Sequence, residues 1–268
     1  EPVNTDKTID AYHNYQAYPK ADLTVRYEER DGITDREVLL LEFARGCKFQ
    51  CGFCSFPVLG VTEDHTRAAQ NLYDELSENY DKWGTETYIV LDETFNDTSK
   101  KIEKYANVMK KLPFEPKLTG YIRADLIASR KKDWDNLISM GFCSHFYGVE
   151  SFNNASAKSI GKGMNTGRLQ DGLIEVKEYF TKHAGYYKGH LSLIAGLPHE
   201  TLDTLRETKR WIDTYWKDNP YQMSVLMIKD LNVFPSELSH YSKMDKSWDE
   251  YGYKKVPFDP ENKGIYTG

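Results

Sequence analysis

Cysteine is scarce in this chain: there are four in 268 residues, and Cys47, Cys51 and Cys54 lie close together. A disulfide-stabilised secreted domain would spread its cysteines to close longer loops, because near neighbours rarely meet bridge geometry. No run of 18 or more apolar residues occurs, so the sequence offers no transmembrane helix. Residues 1–18 are polar and lack the basic-then-apolar order of a secretory leader. Basic residues are outnumbered, with 35 Lys and Arg against 41 Asp and Glu and a net charge of −6. That balance, and the lack of an appended RNA-binding module, argue against nucleic acid as a partner. There is no internal repeat and no low-complexity tract. The remainder is ordinary for a globular protein, at 40% hydrophobic and 28% charged residues. The length suits one α/β barrel, which buries roughly 70–75% of the surface its unfolded chain exposes. Clustered thiols without a leader point to a metal or cluster site in a reducing cytoplasm. The chain starts at Glu1 rather than Met, which leaves open a longer parent protein.

What is present is an alternation of strand and helix patterns. Short apolar runs suited to buried parallel strands occur at 38–43, 87–91, 117–122, 143–149, 190–195 and 223–228. Between them apolar residues recur at helical spacing. Examples are Leu72, Leu76 and Tyr80; Ile102, Tyr105 and Met109; and Leu169, Leu173, Val176 and Phe180. Trp134 to Met140 reads as a helix closed by Gly141, and one long helix is expected from Leu202 to Tyr215. Six βα units in order predict a mostly parallel sheet curled into an incomplete (βα)6 TIM-like barrel over 36–230, with helices outside. Residues 1–35 read as an extension wrapping the domain. Residues 231–268 read as a tail of loops with one short helix.

The thiols sit in Arg45-Gly46-Cys47-Lys48-Phe49-Gln50-Cys51-Gly52-Phe53-Cys54, just after the first strand. Iron–sulfur cubanes are held by Cys thiolates, usually four. Three on one tight loop leave the fourth iron open to a chelating ligand. The bland alternative is a zinc knuckle completed by Cys143 or a histidine, but zinc sites usually pair two Cys knuckles or mix Cys and His at short spacing. Cys143, at the far end of the fourth strand, reads as a small buried core residue.

The C-x3-C-x2-C spacing, with aromatic Phe53 before the third cysteine, resembles the defining motif of the radical SAM superfamily. The branch it is most similar to holds methylthiotransferases, coproporphyrinogen-oxidase-like enzymes and cobalamin-dependent members. The resemblance implies a [4Fe–4S] cluster on Cys47, Cys51 and Cys54, with S-adenosylmethionine chelating the fourth iron and Phe53 near its adenine. Further strand-end segments agree with it. Asp92-Glu93-Thr94, after the second strand, stands where the family accepts hydrogen bonds from the methionine amino group; a solvated acidic turn is the alternative. Glu150, after the fourth strand, resembles the group that binds the ribose hydroxyls. Lys162 and Arg123 are the two candidates for the methionine carboxylate, and a surface lysine is the alternative for Lys162. Ser192, Ile194 and Gly196 belong to the strand that ends in Gly196-Leu197-Pro198, which resembles the segment lying against adenine. There a side chain at Gly196 would block the base. All of these fall at strand C-terminal ends, where barrel enzymes build active sites. His199 is a candidate substrate contact.

The resemblance implies an enzyme that cleaves S-adenosylmethionine to a 5′-deoxyadenosyl radical and abstracts hydrogen from a substrate the sequence does not identify. A one-electron donor such as flavodoxin or ferredoxin is its implied partner. Two rivals stay open: a methyl- or methylthio-transferase, and a non-catalytic iron–sulfur or zinc protein. Against the first, the sequence shows neither a second cysteine group nor the Asp-x-His-x-x-Gly signature of cobalamin binding. A cobalamin module N-terminal to Glu1 is left open.

Overall fold

Alternating burial along the strands sets the layering. In β1 (Leu39–Leu41), Leu39 and Leu41 are buried and Leu40 is exposed. In β4 (Thr87–Val90), Tyr88 and Val90 are buried and Ile89 is exposed. Successive strand side chains point to opposite faces, so one face of the sheet meets helices and the other lines an open concavity. This differs from strands buried on both sides: the concave face, with Leu40, Ile89, Leu91 and Tyr121, is left accessible because the barrel does not close. The architecture is that of a computed structural model that describes residues 25–54, 65–226 and 242–254. The expectations for residues 1–24 and for most of the C-terminal tail, and the end of the sixth predicted strand, lie outside the described residues.

The main sheet runs β1-β4-β5-β6-β7-β8, with β5 (Lys117–Arg123), β6 (Phe142–Glu150), β7 (Lys188–Ala195) and β8 (Tyr221–Val225). Every neighbouring pair is parallel. The α/β order and open edges are those of an incomplete (βα)6 barrel. Its outer layer holds α1 (Ala69–Trp83), α2 (Ser99–Met109), α3 (Ala124–Ser129), α4 (Trp134–Ser139), α5 (Asn154–Ser159), α6 (Thr166–Ala184) and α7 (Leu202–Trp211). Leu72, Leu76, Ile102, Met109, Leu173, Val176 and Phe180 pack from these helices onto Leu41, Val90, Leu118, Phe142 and Leu191 of the sheet. Burying each such side chain contributes about 1.5–3 kcal/mol. Asn165 and Thr98 cap α6 and α2, each accepting a hydrogen bond from a backbone N–H in the first turn.

The sequence reading did not anticipate several elements. The short helices α3 and α5 lack a full period of apolar spacing. A second, two-stranded antiparallel sheet joins β2 (Ala44–Arg45) to β3 (His65–Thr66), closing the base of the cysteine loop. Tyr105 Oη donates to the carbonyls of both Phe43 and Arg67, 2.9 Å each, and so ties that hairpin to α2. The helix expected to run from Leu202 to Tyr215 ends at Trp211 and continues as a π-helical turn over Ile212–Trp216. That turn carries Trp216 inward, where its Nε1 donates to Gly189 O at 2.8 Å.

Beneath the sheet, His145 is enclosed in a polar relay. Tyr147 Oη lies 2.6 Å from His145 Nδ1, and His145 Nε2 lies 2.8 Å from Phe142 O. A carbonyl only accepts, so Nε2 carries the proton and Tyr147 donates to Nδ1. Burial pushes the imidazole pKa down to about 4, against a smaller opposing effect of the Phe142 carbonyl. The unfolded chain, with a histidine near 6.5, takes up a proton first as the pH falls. Stability from the neutral imidazole is therefore complete above about pH 6.5 and is lost toward pH 4. In urea unfolding of the metal-free chain, wild type should lose about 2.5 kcal/mol more between pH 7 and 4.5 than His145→Gln does. Equal losses in the two proteins would show that His145 is not the group responsible.

Candidate functional site

The cysteine loop leaves the sheet where β1 ends and is anchored from below. Asp92, one residue past Leu91 and 1% exposed, accepts from Phe43 N at 2.8 Å and Ala44 N at 3.2 Å through Oδ1. Glu93, by contrast, is exposed at the mouth, and its Oε2 accepts the Gly46 N–H at 3.2 Å. Thr94 Oγ1 lies 3.6 Å from Cys47 Sγ. The three residues expected to act as one acidic segment thus divide: Asp92 holds the loop's root, Glu93 faces the opening, and Thr94 touches the first thiol.

Cys47, Cys51 and Cys54 are free thiols of intermediate exposure. Cys54 N donates to Cys51 O at 3.1 Å, forming a tight turn around the second and third. Gly52, inside that turn, is gripped from both sides. Its N–H donates to Ile160 O and its carbonyl accepts from Met244 N, both at 3.0 Å. A Cβ there would stand 3.1 Å from Tyr251 Oη and 3.6 Å from Met244 Cγ, so a larger residue would press on the Tyr251 hydroxyl. The grip comes from α8 (Lys243–Lys246), a segment whose sequence gave no hint of the site. Ile160, Leu197 and Met244 form a small second core, with Phe53, Ile194 and Tyr251 packed against it. Phe53 and Ile194, both expected at the adenine, therefore share one apolar wall.

Arg123, at the end of β5, reaches toward the same loop. Its Nε and Nη2 donate to the Asp125 carboxylate at 2.8 and 3.1 Å, and its Nη1 points at Cys51 Sγ at 3.6 Å. The guanidinium carbon lies 3.9 Å from the Phe49 ring centroid. Burial lowers the Arg123 pKa, but Asp125 and Cys51 more than offset this and leave it raised.

At the end of the next strand, Glu150 pairs with Lys162 from the turn after α5, with Lys162 Nζ 3.0 Å from Glu150 Oε1 and 2.9 Å from Gly148 O. Glu150 follows a register shift against β7 and has φ 64°, a left-handed backbone unusual outside glycine. Such strain persists where the surroundings over-determine it, often at functional sites. The turn before Lys162 abuts the cysteine loop: a Cβ at Gly161 would lie 3.5 Å from Gln50 O. Ser192 Oγ accepts from Gln222 Nε2 at 2.9 Å. Gly196 has φ 92°, yet a Cβ there would meet nothing closer than Leu226 Cβ at 3.8 Å. Its glycine thus answers a backbone conformation rather than crowding from these residues. Its N–H donates to Glu200 Oε2 and its carbonyl accepts from Tyr253 Oη, each at 2.6 Å. His199 is exposed and also left-handed, at φ 65°. Cys143 is buried at the opposite end of β6, and burial pushes its thiol up to about 11, so it stays protonated.

Lys101 neutralises the acids beneath the loop. Its Nζ lies 3.0 Å from Asp97 Oδ1 and 3.8 Å from Asp92 Oδ2, and it donates to Thr94 O at 3.1 Å. All three side chains are 5% exposed or less. Lys101→Met would leave two buried carboxylates without that cation. It should destabilise the chain by about 3–5 kcal/mol in chemical denaturation. A change under about 1 kcal/mol would mean that Asp92 and Asp97 do not depend on Lys101.

The fold has known relatives. One is the radical S-adenosylmethionine methyltransferase TsrM from Kitasatospora setae with cobalamin and a [4Fe–4S] cluster bound, at TM-score 0.65 and 14% identity over 87% of this chain. Another is the cobalamin-dependent S-adenosylmethionine radical enzyme OxsB with aqua-cobalamin and S-adenosylmethionine bound, at 0.55 and 19% over 81%. A third is the radical SAM coproporphyrinogen III oxidase HemN from Escherichia coli, at 0.50 and 14% over 79%. This chain spans 41%, 30% and 48% of their lengths. At such identities they share a fold with it and nothing more specific. No curated protein sequence matches the chain significantly. The family model described as the radical SAM superfamily matches residues 41–212, well over half of the chain, from the end of β1 through α7. With three free thiols on the loop after the first strand of an open parallel barrel, the chain belongs to the radical SAM superfamily.

Proposed function

We propose that this chain removes hydrogen from an unactivated carbon of a substrate bound in the concave mouth of the barrel. The observation that carries the reading is the placement of the thiols. Three stand on one loop at the C-terminal edge of the sheet, and the fourth cysteine, Cys143, is buried at the far edge. A cubane held here has three thiolates and one open iron. Three thiolates at this spacing, with Cys143 at the far edge of the sheet, fit a cluster with one open iron better than a closed four-ligand zinc site. When bound, a [4Fe–4S] cluster supplies the electron that splits S-adenosylmethionine into methionine and a 5′-deoxyadenosyl radical.

The protein's own part is to orient and enclose. Glu93 is the exposed carboxylate beside the loop and suits the methionine amino group. Glu150, already oriented by Lys162, suits the ribose hydroxyls. Ser192, Ile194 and the Gly196 backbone continue that wall toward the adenine. Phe53, against Met244 and Ile160, seals it from the side and limits water. Among the described residues no helix is long and apolar enough to cross a membrane. We place the protein in the cytoplasm, where thiols stay reduced and a ferredoxin or flavodoxin can deliver single electrons.

Under anaerobic conditions with dithionite, the reconstituted chain should release methionine and 5′-deoxyadenosine from S-adenosylmethionine. Cys47→Ala, Cys51→Ala and Cys54→Ala should each lose the brown cluster absorbance, while Cys143→Ala keeps it. Formation of S-adenosylhomocysteine instead would assign methyl transfer, and an intact, reducible cluster with no cleavage would assign a non-catalytic role. Glu150→Ala should keep the cluster yet bind S-adenosylmethionine roughly five- to 150-fold more weakly by calorimetry, for a lost hydrogen bond of about 1–3 kcal/mol. Unchanged affinity would move the ribose contact elsewhere.

A further inference from the structure

We propose that Arg123 is a positioning residue for the Cys51 thiolate that eases reduction of the cluster, rather than a clamp for the methionine carboxylate. The proposal rests on the cluster reading above and concerns a different property of it.

The arginine is held on every side by residues that set where its charge lies. Its Nε and Nη2 form a fork on Asp125, which follows it by two residues at the start of α3. Its backbone is fixed by Asn96, whose Oδ1 accepts from Arg123 N at 2.8 Å and whose Nδ2 donates to Arg123 O at 3.0 Å. One face of the guanidinium lies on the Phe49 ring, and Phe49 is itself part of the cysteine loop. Only Nη1 is left aimed at the loop, and it points at Cys51 Sγ. The side chain is 9% exposed. A planar fork already closed on one carboxylate is poorly placed to receive a second in the same bidentate way. A cation beside a thiolate, weakly screened by solvent, is well placed to act on charge.

The consequence follows from charge counting. Reduction adds one negative charge to the cluster and its thiolates. A nearby fixed cation stabilises the reduced form more than the oxidised one. Hydrogen bonds to the sulfurs, net charge and solvent exposure are the protein's means of setting cluster potentials. Asp125 fixes the arginine but opposes it electrostatically, so the two residues should act with opposite signs.

The test is a redox titration of the reconstituted full chain, without S-adenosylmethionine, followed by electron paramagnetic resonance. Iron and sulfide content is measured in parallel. Arg123→Gln should lower the midpoint potential by at least a tenfold change in the reduction equilibrium, about 59 mV for one electron. Asp125→Asn should raise it, and Arg123→Lys should stay nearer to wild type than Arg123→Gln. A purely structural role would leave the potential in place or move both variants the same way, and either result overturns the proposal. So does a potential that stays fixed in Arg123→Gln while S-adenosylmethionine affinity collapses, which would return Arg123 to the carboxylate. If Arg123→Gln takes up no cluster, the direction of the Asp125→Asn shift decides. Failure of the wild-type chain to hold a cluster would defeat the cluster reading and this proposal together. A sound cluster with unmoved potentials defeats this proposal alone.

Discussion

Asp92 Oδ1 accepts the amide hydrogens of Phe43 and Ala44, and the cysteine loop departs from the sheet at that point. The contact joins the ends of two neighbouring parallel strands, so the root of the loop takes its direction from β4 as well as from β1. The carboxylate that makes it is buried, which is tolerable only because Lys101 and further backbone donors surround it. Glu93 and Thr94 then emerge on the side where the thiols stand, because the residue before them is turned inward. The mouth of the barrel is thus organised from beneath, by a buried carboxylate and the cation beside it.

Much of this was legible in the sequence, for identifiable reasons. The strands at 87–91, 117–122 and 190–195 agree closely with β4, β5 and β7, because apolar runs bounded by turn residues are local signals. The cysteine spacing and its place after the first strand were equally local. Less was visible where a partner lies far along the chain. Asp92 and Glu93 look interchangeable in sequence, and only the amides of Phe43 and Ala44 decide which one turns inward. The grip of Met244 on Gly52 joins segments nearly 200 residues apart, and α8 carries no motif. Arg123 read as a candidate for the methionine carboxylate, since neither Asp125 nor Phe49 announces that it will occupy the guanidinium. The open side of the barrel was expected from six strands, but which residues it exposes was not: Leu40 and Ile89 lie within apolar runs and look like core residues in sequence.

The wall opposite the sheet edge has a different construction. Phe53 comes from the cysteine loop and Ile194 and Leu197 from the end of β7 and the turn after it, and they meet in one cluster with Met244 and Ile160. Tyr253 Oη donates back to Gly196 O. The C-terminal segment therefore contributes structure to a site whose chemistry lies elsewhere in the chain.

The β2–β3 pairing has a consequence for how a cofactor is acquired. Holding each backbone residue in one conformation costs about 1–2 kcal/mol of conformational entropy. In this loop Arg45 is paired with His65, Gly46 is bonded to Glu93, and Gly52 is held by Ile160 and Met244. These anchors stand on either side of Cys47 and Cys51. The anchored residues are ordered once the polypeptide has folded, so none of the free energy of thiolate–iron bonding is spent on ordering them.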